Sequence, residues 1–501
     1  MLSALAPAWT SPTIDYHALA PEMVLAGGIV LLVLLDLFVA DAKKWILTPL
    51  ASFIVLGAFI PVLTLALSDG GVRSLFDDRY MVDNFSLVMK GLFLLSGYVV
   101  ILLTADHLRE GDYYQGEYWF LLLTSLLGMV MMASSRDLVS IFVSLELLSI
   151  PAYMMAAWRK RDLRSNEAGI KYYLLGVFAS ALMLYGMSLL YGISGSTKLV
   201  EISKYLGTDL TSVRALAVFF IVVGFAFKVS AVPFHTWAPD TYQGAPTPVT
   251  AFLSVASKAA GFVALVTVIF VGFPGSHDVW QPVFWVLSAI TMTVGNVLAL
   301  KQTNIVRMLA YSSVAQGGFI LMPLAVAGID GVANSALRAI VTYLLVYAAT
   351  NLGVFAVVMV VARKTRSGEI SSYGGLFSYA PGIATLMTMF MASLAGIPPF
   401  GGWFGKFAAF QSLVSAGTTW AYALAIIGGI NSAVAFGYYG KILREMWMKP
   451  VPDGDTTPVT VYSSLSVALV ITSVATLVLG TFPGIALHFG DIAGLAGAFG
   501  K

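Results

Sequence analysis

Long apolar runs recur from one end of the chain to the other. A helix needs about 20 predominantly apolar residues to cross the hydrocarbon core of a bilayer. The pattern therefore predicts an all-α polytopic membrane protein with about 14 transmembrane helices. The predicted spans are 20–40, 46–68, 84–104, 117–134, 137–158, 167–194, 213–232, 248–273, 279–300, 305–327, 334–362, 381–411, 419–445 and 459–488.

Two of the predicted spans are interrupted by proline and resemble each other. The segment Pro233-Phe-His-Thr-Trp237 is echoed by Pro399-Phe-Gly-Gly-Trp403, and each lies near a lysine, Lys228 or Lys406. The two segments belong to the seventh and twelfth spans, so an odd number of crossings separates them and the copies run in opposite directions. Inverted repeats of this kind place their ion sites at broken helices near the bilayer midplane. We therefore expect two inverted five-helix repeats, each containing a broken helix.

The repeats predict four parts of the chain. Residues 1–110 form three N-terminal transmembrane helices, and residues 111–275 form the first antiporter-like repeat. Residues 276–446 form the second, inverted repeat, and residues 447–501 contain the final transmembrane helix. Lys and Arg are more frequent in the connections on one side, and this bias favours a topology with both termini on the external side.

Composition narrows the possible chemistry. Hydrophobic residues make up 58% of the chain and charged residues 11%, against about 25% charged in soluble domains. The apolar composition makes the lipid bilayer an expected partner. There is no long basic run, so nucleic acid is not expected as a partner. The absence of cysteine excludes thiolate ligation of iron–sulfur clusters, and the five histidines are scattered. We expect no cofactor and no metal here, so any redox chemistry would belong to a partner.

Four charged residues inside predicted spans are the main candidates for ion transfer. Charged groups at this depth cost about 2.5–3.5 kcal/mol on insertion scales and mark ion pathways. The candidates are Glu146, Lys228, Lys258 and Lys406. The alternatives are lysines that snorkel to an interface and a Glu146 that is merely hydrogen-bonded within the bundle.

Glu146 is the predicted counter-charge of Lys228. A nearby carboxylate stabilises the ammonium form of a buried lysine, so making and breaking the contact changes its proton affinity. That change is worth about 4 kcal/mol. Moving one charge across a membrane voltage of about 150–200 mV costs approximately 3.5–4.6 kcal/mol. One ion-pair switch per half-channel therefore supplies enough free energy to move one proton. The sequence alone does not place the two side chains together.

Four further residues are candidates for proton entrance or relay. His235 and Asp240 lie in the break after Lys228, where histidine can titrate near neutral pH; the alternative is a polar loop at the membrane interface. Lys171 lies near the start of a span. It either takes part in proton transfer or extends its ammonium to the membrane interface. Gln316 can relay a proton only through water, because an amide does not titrate.

Several linked motifs resemble the antiporter-like subunits of proton-pumping NADH:quinone oxidoreductase (complex I), and within them the N-type. The similarity covers about residues 115–445. The motifs are Lys228-Val-Ser-Ala-Val-Pro-Phe-His235-Thr-Trp237-Ala-Pro239-Asp240, Ala245-Pro246-Thr-Pro248-Val, Ser257-Lys258, Lys301-Gln-Thr-Asn304-Ile-Val-Arg307, Leu394-Ala-Gly396-Ile-Pro398 and Gly405-Lys406.

The resemblance implies proton translocation coupled to quinone reduction elsewhere in the complex. Glu146 and Lys228 would form the first-half channel pair, Lys258 would connect the halves, and Lys406 would be the outlet residue. Gln316 stands where several relatives carry histidine. The implied partners are K- and M-type neighbours and the lateral helix of the L-type subunit, in the bacterial inner membrane. The isolated chain would have no catalytic activity.

Three other readings stay open on the residues alone. The same fold could serve a multisubunit cation/proton antiporter or a membrane-bound hydrogenase. A solute symporter would display polar substrate groups at the helix breaks, where this chain has lysine and proline. If the chain were a structural scaffold, replacement of the buried lysines would leave proton pumping by the assembled complex unchanged.

Overall fold

The computed structural model describes residues 14–68, 70–110, 115–206 and 212–498. Within these ranges, 12 helices are long and apolar enough to cross a membrane. The α-helices are α1 (Ala20–Phe38), α2 (Leu47–Leu67), α3 (Asn84–Glu110), α4 (Gln115–Ser134), α5 (Leu138–Ala156), α6 (Leu163–Ser194), α7 (Leu199–Tyr205), α8 (Ser212–Lys228), α9 (Trp237–Gly244), α10 (Thr247–Phe252), α11 (Lys258–Thr267), α12 (His277–Leu300), α13 (Ile305–Leu321), α14 (Ala333–Thr365), α15 (Leu376–Tyr379), α16 (Pro381–Ala395), α17 (Gly401–Ala416), α18 (Thr419–Met448), α19 (Ser463–Thr481) and α20 (Pro483–Ile492).

The all-α membrane fold is confirmed, but the count of fourteen helices stays a prediction. The two predicted spans outside those twelve are 213–232 and 381–411, which contain the breaks. The first consists of α8, which ends at Lys228. The second is divided into α16 and α17 at Gly396, whose φ of 88° is a left-handed conformation that glycine adopts without steric cost.

Two features in the connecting segments were not predicted. Residues 73–82 form a small antiparallel hairpin of β1 (Arg73–Leu75) and β2 (Tyr80–Val82). The last predicted span, 459–488, is divided into α19 and α20 at Phe482, because Pro483 begins a new helix. Proline has no backbone N–H to continue a preceding helix and is favoured in the first turn of the next one.

Successive spans, counting a divided span as one, cross in alternating directions, so the connections gather on two faces. We call the face on which the described chain begins and ends the terminal face. It carries the hairpin and the residues around Asp15, Asp83 and Ala496: Arg73 Nη1 lies 3.1 Å from Asp15, and Ala496 N donates to Asp83 at 2.9 Å. The opposite face carries the segments around 301–304, 366–375 and 449–457, where Ile305 N donates to Gly368 O at 2.8 Å.

One helix lies at the centre of the bundle. It runs from Thr247 to Gly272 as α10, a π-helical turn (Leu253–Ser257), α11 and a second π-helical turn (Val268–Gly272). All its residues after Thr247 are buried, as expected for a helix that is apolar on every side. We call it the central helix. Its one charged residue, Lys258, follows the first π-helical turn, a distortion often found at functional sites.

Candidate functional site

Lys228 is buried at the end of α8, with 3% of its surface exposed. Its ammonium donates to the Ser149 hydroxyl on α5 at 2.9 Å, and Ser149 donates in turn to the carbonyl of Leu145. The Tyr172 hydroxyl lies 3.5 Å away, and its ring stacks on Trp237, which follows the break. The break therefore folds back so that Trp237 packs on the tyrosine of α6 that lies beside the lysine.

Glu146 does not contact Lys228. The Glu146 carboxylate is half-buried between α5 and α6 and accepts a hydrogen bond from Ser180 at 2.6 Å. The predicted direct ion pair is therefore not formed in this structure. Ser149, which holds Lys228, lies three residues from Glu146 and so on the same side of α5, about 4.5 Å along the helix axis.

Lys258 projects from the central helix towards α13, with 2% of its surface exposed. Its ammonium donates to the carbonyl of Ser313 at 2.7 Å and to the Ser313 hydroxyl oxygen at 2.5 Å. That oxygen also accepts from the Tyr347 hydroxyl at 2.9 Å. A Cβ at Gly261, one turn along the central helix, would lie 2.9 Å from Lys228 Cγ. The first two lysines are therefore brought together across a glycine.

Gln316 lies one turn beyond Ser313 on α13 and is buried. Its amide nitrogen donates to the carbonyl of Leu394 at 3.0 Å and to the Tyr439 hydroxyl at 3.2 Å, while its oxygen accepts from the Tyr343 hydroxyl. A small cavity of about 10 Å³ lies beside it, a volume that admits about one water molecule. The predicted relay position is thus polar and able to hold water.

Lys406 lies on α17 and reaches back across the break. Its ammonium donates to the carbonyl of Ala395, the last residue of α16, at 2.8 Å. It also lies 4.8 Å from the centre of the Phe319 ring, a distance that suits a cation–π contact. With 4% of its surface exposed, Lys406 does not reach either interface.

These contacts form one buried series, which we call the polar axis: Lys228, Lys258, Ser313, Gln316 and Lys406. Ser313 and Gln316 share a face of α13, and Gln316 is bonded to Leu394, the neighbour of the residue that holds Lys406. Within the described ranges, the three amines donate to hydroxyl and carbonyl oxygens and form no ion pair. The snorkelling alternative does not describe these three lysines.

The candidates on the opposite face form an ion-pair cluster. Asp240 lies 2.8 Å from Lys171 Nζ and 2.7 Å from Arg307 Nη1, so it links α9 to α6 and α13. A pocket of about 230 Å³ opens beside it. Burial raises the pKa of Asp240, but the hydrogen bonds from Lys171 and Arg307 lower it by more, and the net pKa is below the ordinary value. The carboxyl therefore stays ionised near neutral pH, which favours an anchoring role.

His235 is largely buried in the break, and its ring centre lies 6.4 Å from that of Tyr311. Burial lowers the pKa of His235, against a smaller opposing effect of a hydrogen bond with the backbone of Pro233. The imidazole is therefore mainly neutral at neutral pH.

Several residues of the site were not predicted from the sequence. Ser149 and Ser313 each lie three residues from a predicted candidate, a spacing that places them on the same helix face. Tyr343 and Tyr347 share a face of α14 at i, i+4 spacing. These spacings are the sequence signals that could have identified the four residues.

A buried ion pair lies away from the polar axis, near the terminal face. Lys90 on α3 is 2.7 Å from Glu22 on α1, and Glu22 also accepts from Tyr80 at 2.6 Å. Glu22 lies at the start of a predicted span, where a charged residue does not stand out in the sequence as unusual. In the part of the chain described here, no three His, Asp or Glu side chains are grouped to hold a metal ion.

Comparison with known proteins gives a consistent result. The profile of the family described as NADH:quinone oxidoreductase/Mrp antiporter, transmembrane, matches residues 135–432. The NADH-quinone oxidoreductase subunit N of Trichlorobacter lovleyi is 38% identical over 485 residues, which are 96% of this chain and 97% of the relative.

Two solved structures share the fold over nearly the whole chain. One chain of respiratory complex I from Thermus thermophilus with bound aureothin has a TM-score of 0.78 and 31% identity, covering 95% of this chain and 100% of that one. A chain of the Mrp complex from Dietzia sp. DQ12-45-1b has a TM-score of 0.84 and 21% identity, covering 96% and 97%. The second likeness concerns the fold alone.

Proposed function

The chain belongs to the NADH:quinone oxidoreductase/Mrp antiporter family of membrane proteins, and we propose that it translocates protons as a membrane-arm subunit of a NADH:quinone oxidoreductase. Quinone reduction takes place in other subunits of the complex and drives the transfer. In this proposal the neighbours are the K- and M-type subunits and the lateral helix of the L-type subunit. The chain is a multi-pass protein of the bacterial inner membrane, with the terminal face outside.

The observation that carries the proposal is the set of three buried amines held only by neutral oxygens. An ammonium in a low-dielectric interior is costly without a counter-charge. A carboxylate that approaches or withdraws therefore changes how readily such an amine holds its proton. Lys228, Lys258 and Lys406 each have the oxygen neighbours that a transferred proton requires.

Glu146 supplies the switch at the first lysine. Its carboxylate lies about one helical turn from the Ser149 hydroxyl on α5, so a change of Lys228 rotamer exchanges a neutral partner for an anion. The exchange alters the proton affinity of Lys228 without a large backbone movement. The protein's own residues then pass the proton from Lys228 to Lys258, through Ser313 and water beside Gln316, to Lys406.

The decisive experiment replaces the connecting amine. We expect Lys258→Met to assemble normally, because methionine fills a similar volume, and to lower proton translocation at least about tenfold, equivalent to about 1.4 kcal/mol on the barrier. Quinone reduction coupled to it should fall as well. The measurement is NADH-driven acidification of inverted membrane vesicles, together with the rate of quinone reduction.

The matched control is Lys204→Met, which removes an exposed lysine on the terminal face. Translocation in this variant should equal that of the unmodified protein. A Lys258→Met complex that assembles and pumps at the normal rate would show that the chain is a scaffold.

A further inference from the structure

Tyr242 is a buried residue that has no part in the site described so far. It lies on α9, the short helix that follows the first break, and only 1% of its surface is exposed. Its hydroxyl is buried and makes no hydrogen bond of ordinary geometry in the described part of the chain. A buried polar group without a partner costs free energy, so its presence calls for an explanation.

The Tyr242 hydroxyl faces the hydrogen-bonded group around Lys258. It lies beside the Ser313 side chain and interacts with the Tyr347 hydroxyl. The Ser313 oxygen already accepts hydrogen bonds from Lys258 and from Tyr347. A hydroxyl oxygen has two lone pairs and one proton, so the two bonds occupy its acceptor positions. The proton of Ser313 is left for another acceptor, and the neighbouring Tyr242 oxygen is able to take it.

On its other side, Tyr242 adjoins the residues around Lys228. The Tyr172 hydroxyl lies 3.5 Å from Lys228 Nζ and interacts electrostatically with Tyr242. Trp237 packs against both tyrosines. Its ring stacks on Tyr172 with the centres 4.4 Å apart, and it meets the ring of Tyr242 edge-on at 6.1 Å. Tyr242 therefore lies between the partners of Lys228 and those of Lys258.

The backbone at Tyr242 is fixed to three neighbouring helices. Asp240, two residues earlier, holds α9 to α6 and α13 through its two ion pairs. The Thr250 hydroxyl on the central helix donates to the Tyr242 carbonyl at 2.9 Å. These contacts hold the tyrosine ring in place, whereas its O–H bond can rotate towards either side.

We propose that Tyr242 is a relay residue that passes the proton between Lys228 and Lys258. The inference rests on the proposed function and adds a residue to it. The Lys228 ammonium gives a proton to the Tyr172 oxygen, and the proton of Tyr172 passes to Tyr242. The proton of Tyr242 passes to Ser313, and that of Ser313 to the neutral amine of Lys258. Each oxygen gains one proton and loses one, so Lys228 becomes neutral, Lys258 becomes charged and no hydroxyl is left ionised.

The direct test is Tyr242→Phe in the assembled complex. This change removes the hydroxyl and keeps the ring. We expect proton translocation to fall at least about fivefold, equivalent to about 1 kcal/mol on the barrier. The thermal midpoint should not fall, because removal of an unsatisfied buried group is neutral or stabilising. The measurements are vesicle acidification, normalised to the amount of assembled complex, and thermal unfolding of that complex.

The matched control is Tyr373→Phe. Tyr373 is also fully buried, and its hydroxyl likewise has no hydrogen-bond partner among the residues that the structure describes. It lies on the opposite face, in the turn Ile370–Tyr373, away from the polar axis. Translocation in this variant should equal that of the unmodified protein. If the two phenylalanine variants pump alike, Tyr242 is not a relay.

A second substitution distinguishes proton transfer from packing. Histidine at position 242 can accept a proton on one ring nitrogen and release one from the other. We therefore expect Tyr242→His to pump faster than Tyr242→Phe, although phenylalanine is closer to tyrosine in shape. A phenylalanine variant at least as fast as the histidine variant would leave Tyr242 with a packing role only.

The outcomes separate the two proposals. If Lys258→Met lowers translocation while Tyr242→Phe pumps at the normal rate, the relay assignment is wrong and the proposed function stands. If Lys258→Met pumps normally, both proposals fail.

Discussion

The two broken helices hold their lysines in different ways at equivalent places. Lys228 is itself the last residue of α8, whereas Lys406 lies on the second segment, α17, and reaches back to the carbonyl that ends α16. Both amines therefore lie at the C-terminal end of a helix, where the macrodipole stabilises a cation by about 0.3–1 kcal/mol. What the two breaks share is the helix end; the position of the lysine in the sequence differs.

The surroundings of the two amines also differ. Lys228 is held by a side-chain hydroxyl, with Glu146 about one turn away on α5 and the Asp240 ion pairs anchoring the break. Lys406 is held by a backbone carbonyl, and residues 396–405 contain no charged side chain. Under the proposed function, the first break responds to a neighbouring charge. The second offers its lysine a fixed environment.

The strongest test of the comparison replaces each amine by a guanidinium. Arginine keeps the positive charge but is not deprotonated in proteins. We expect Lys228→Arg and Lys406→Arg each to lower proton translocation at least about tenfold, equivalent to about 1.4 kcal/mol on the barrier. The measurement is vesicle acidification, normalised to the amount of assembled complex.

A Lys406→Arg complex that pumps normally, beside an inactive Lys228→Arg complex, would mean that the second lysine serves only as a fixed charge. The two breaks would then differ in function as well as in environment.

A smaller effect is expected from the hydroxyl that holds Lys228. Ser149→Ala removes the nearer hydroxyl acceptor of the buried ammonium and leaves only the Tyr172 hydroxyl at 3.5 Å, and an unsatisfied buried donor costs about 1–3 kcal/mol. Translocation should therefore slow by about fivefold or more, as measured by initial rates of vesicle acidification.

Ser144→Ala is the matched control, because Ser144 is buried on the same helix and its hydroxyl has no hydrogen-bond partner among the described residues. If both alanine variants pump alike, the contact between Ser149 and Lys228 does not contribute, and the contrast between the two breaks is weakened.

The smallest effect concerns the ion pairs that anchor the first break. The lowered pKa of Asp240 means that its contribution to stability is present above the unfolded value of about 3.9 and is lost only as the pH falls through the lower folded value. Asp240→Asn should therefore lower the thermal midpoint by the same amount at about pH 5.5 and about pH 7.5. The expected shift is about 1–2 °C, because the cluster is partly exposed and screened by solvent.

The measurement is thermal unfolding of the assembled complex in the membrane, with Asp41→Asn as the control, since Asp41 is an exposed ion-pair partner on the same face. A shift that shrinks at the lower pH would show that Asp240 takes up a proton there. It would then act as a proton entrance instead of an anchor.

Much of the fold followed from the apolar runs. Runs of membrane-spanning length and proline-containing motifs are local signals, so the all-α fold and the breaks after Lys228 and before Lys406 could be predicted. The division of the last span at Phe482 was missed because both parts are apolar. The hairpin at 73–82 was missed because its strands are only three residues long.

The candidate site was predictable as a list of residues and much less as a set of contacts. A charge inside an apolar run is conspicuous, and this signal identified Lys228, Lys258 and Lys406. Hydroxyl residues such as Ser149 and Ser313 are common in membrane helices, so their role depends on which helices pack together. The distance between Glu146 and Lys228 likewise depends on packing, and the direct contact expected from their charges is replaced by one to Ser149.

The burial of the central helix has an electrical consequence. The pocket beside Asp240 and a cleft between α14 and α20, lined by Arg338 on the terminal face, open on opposite faces, and the central helix packs against both α8 and α14. A straight water-filled shaft would discharge the membrane voltage. In the proposed mechanism a charge turns and travels parallel to the membrane plane, where a single neutral amine is enough to interrupt it. In that mechanism, staggered openings keep the membrane sealed to protons while the amine is neutral.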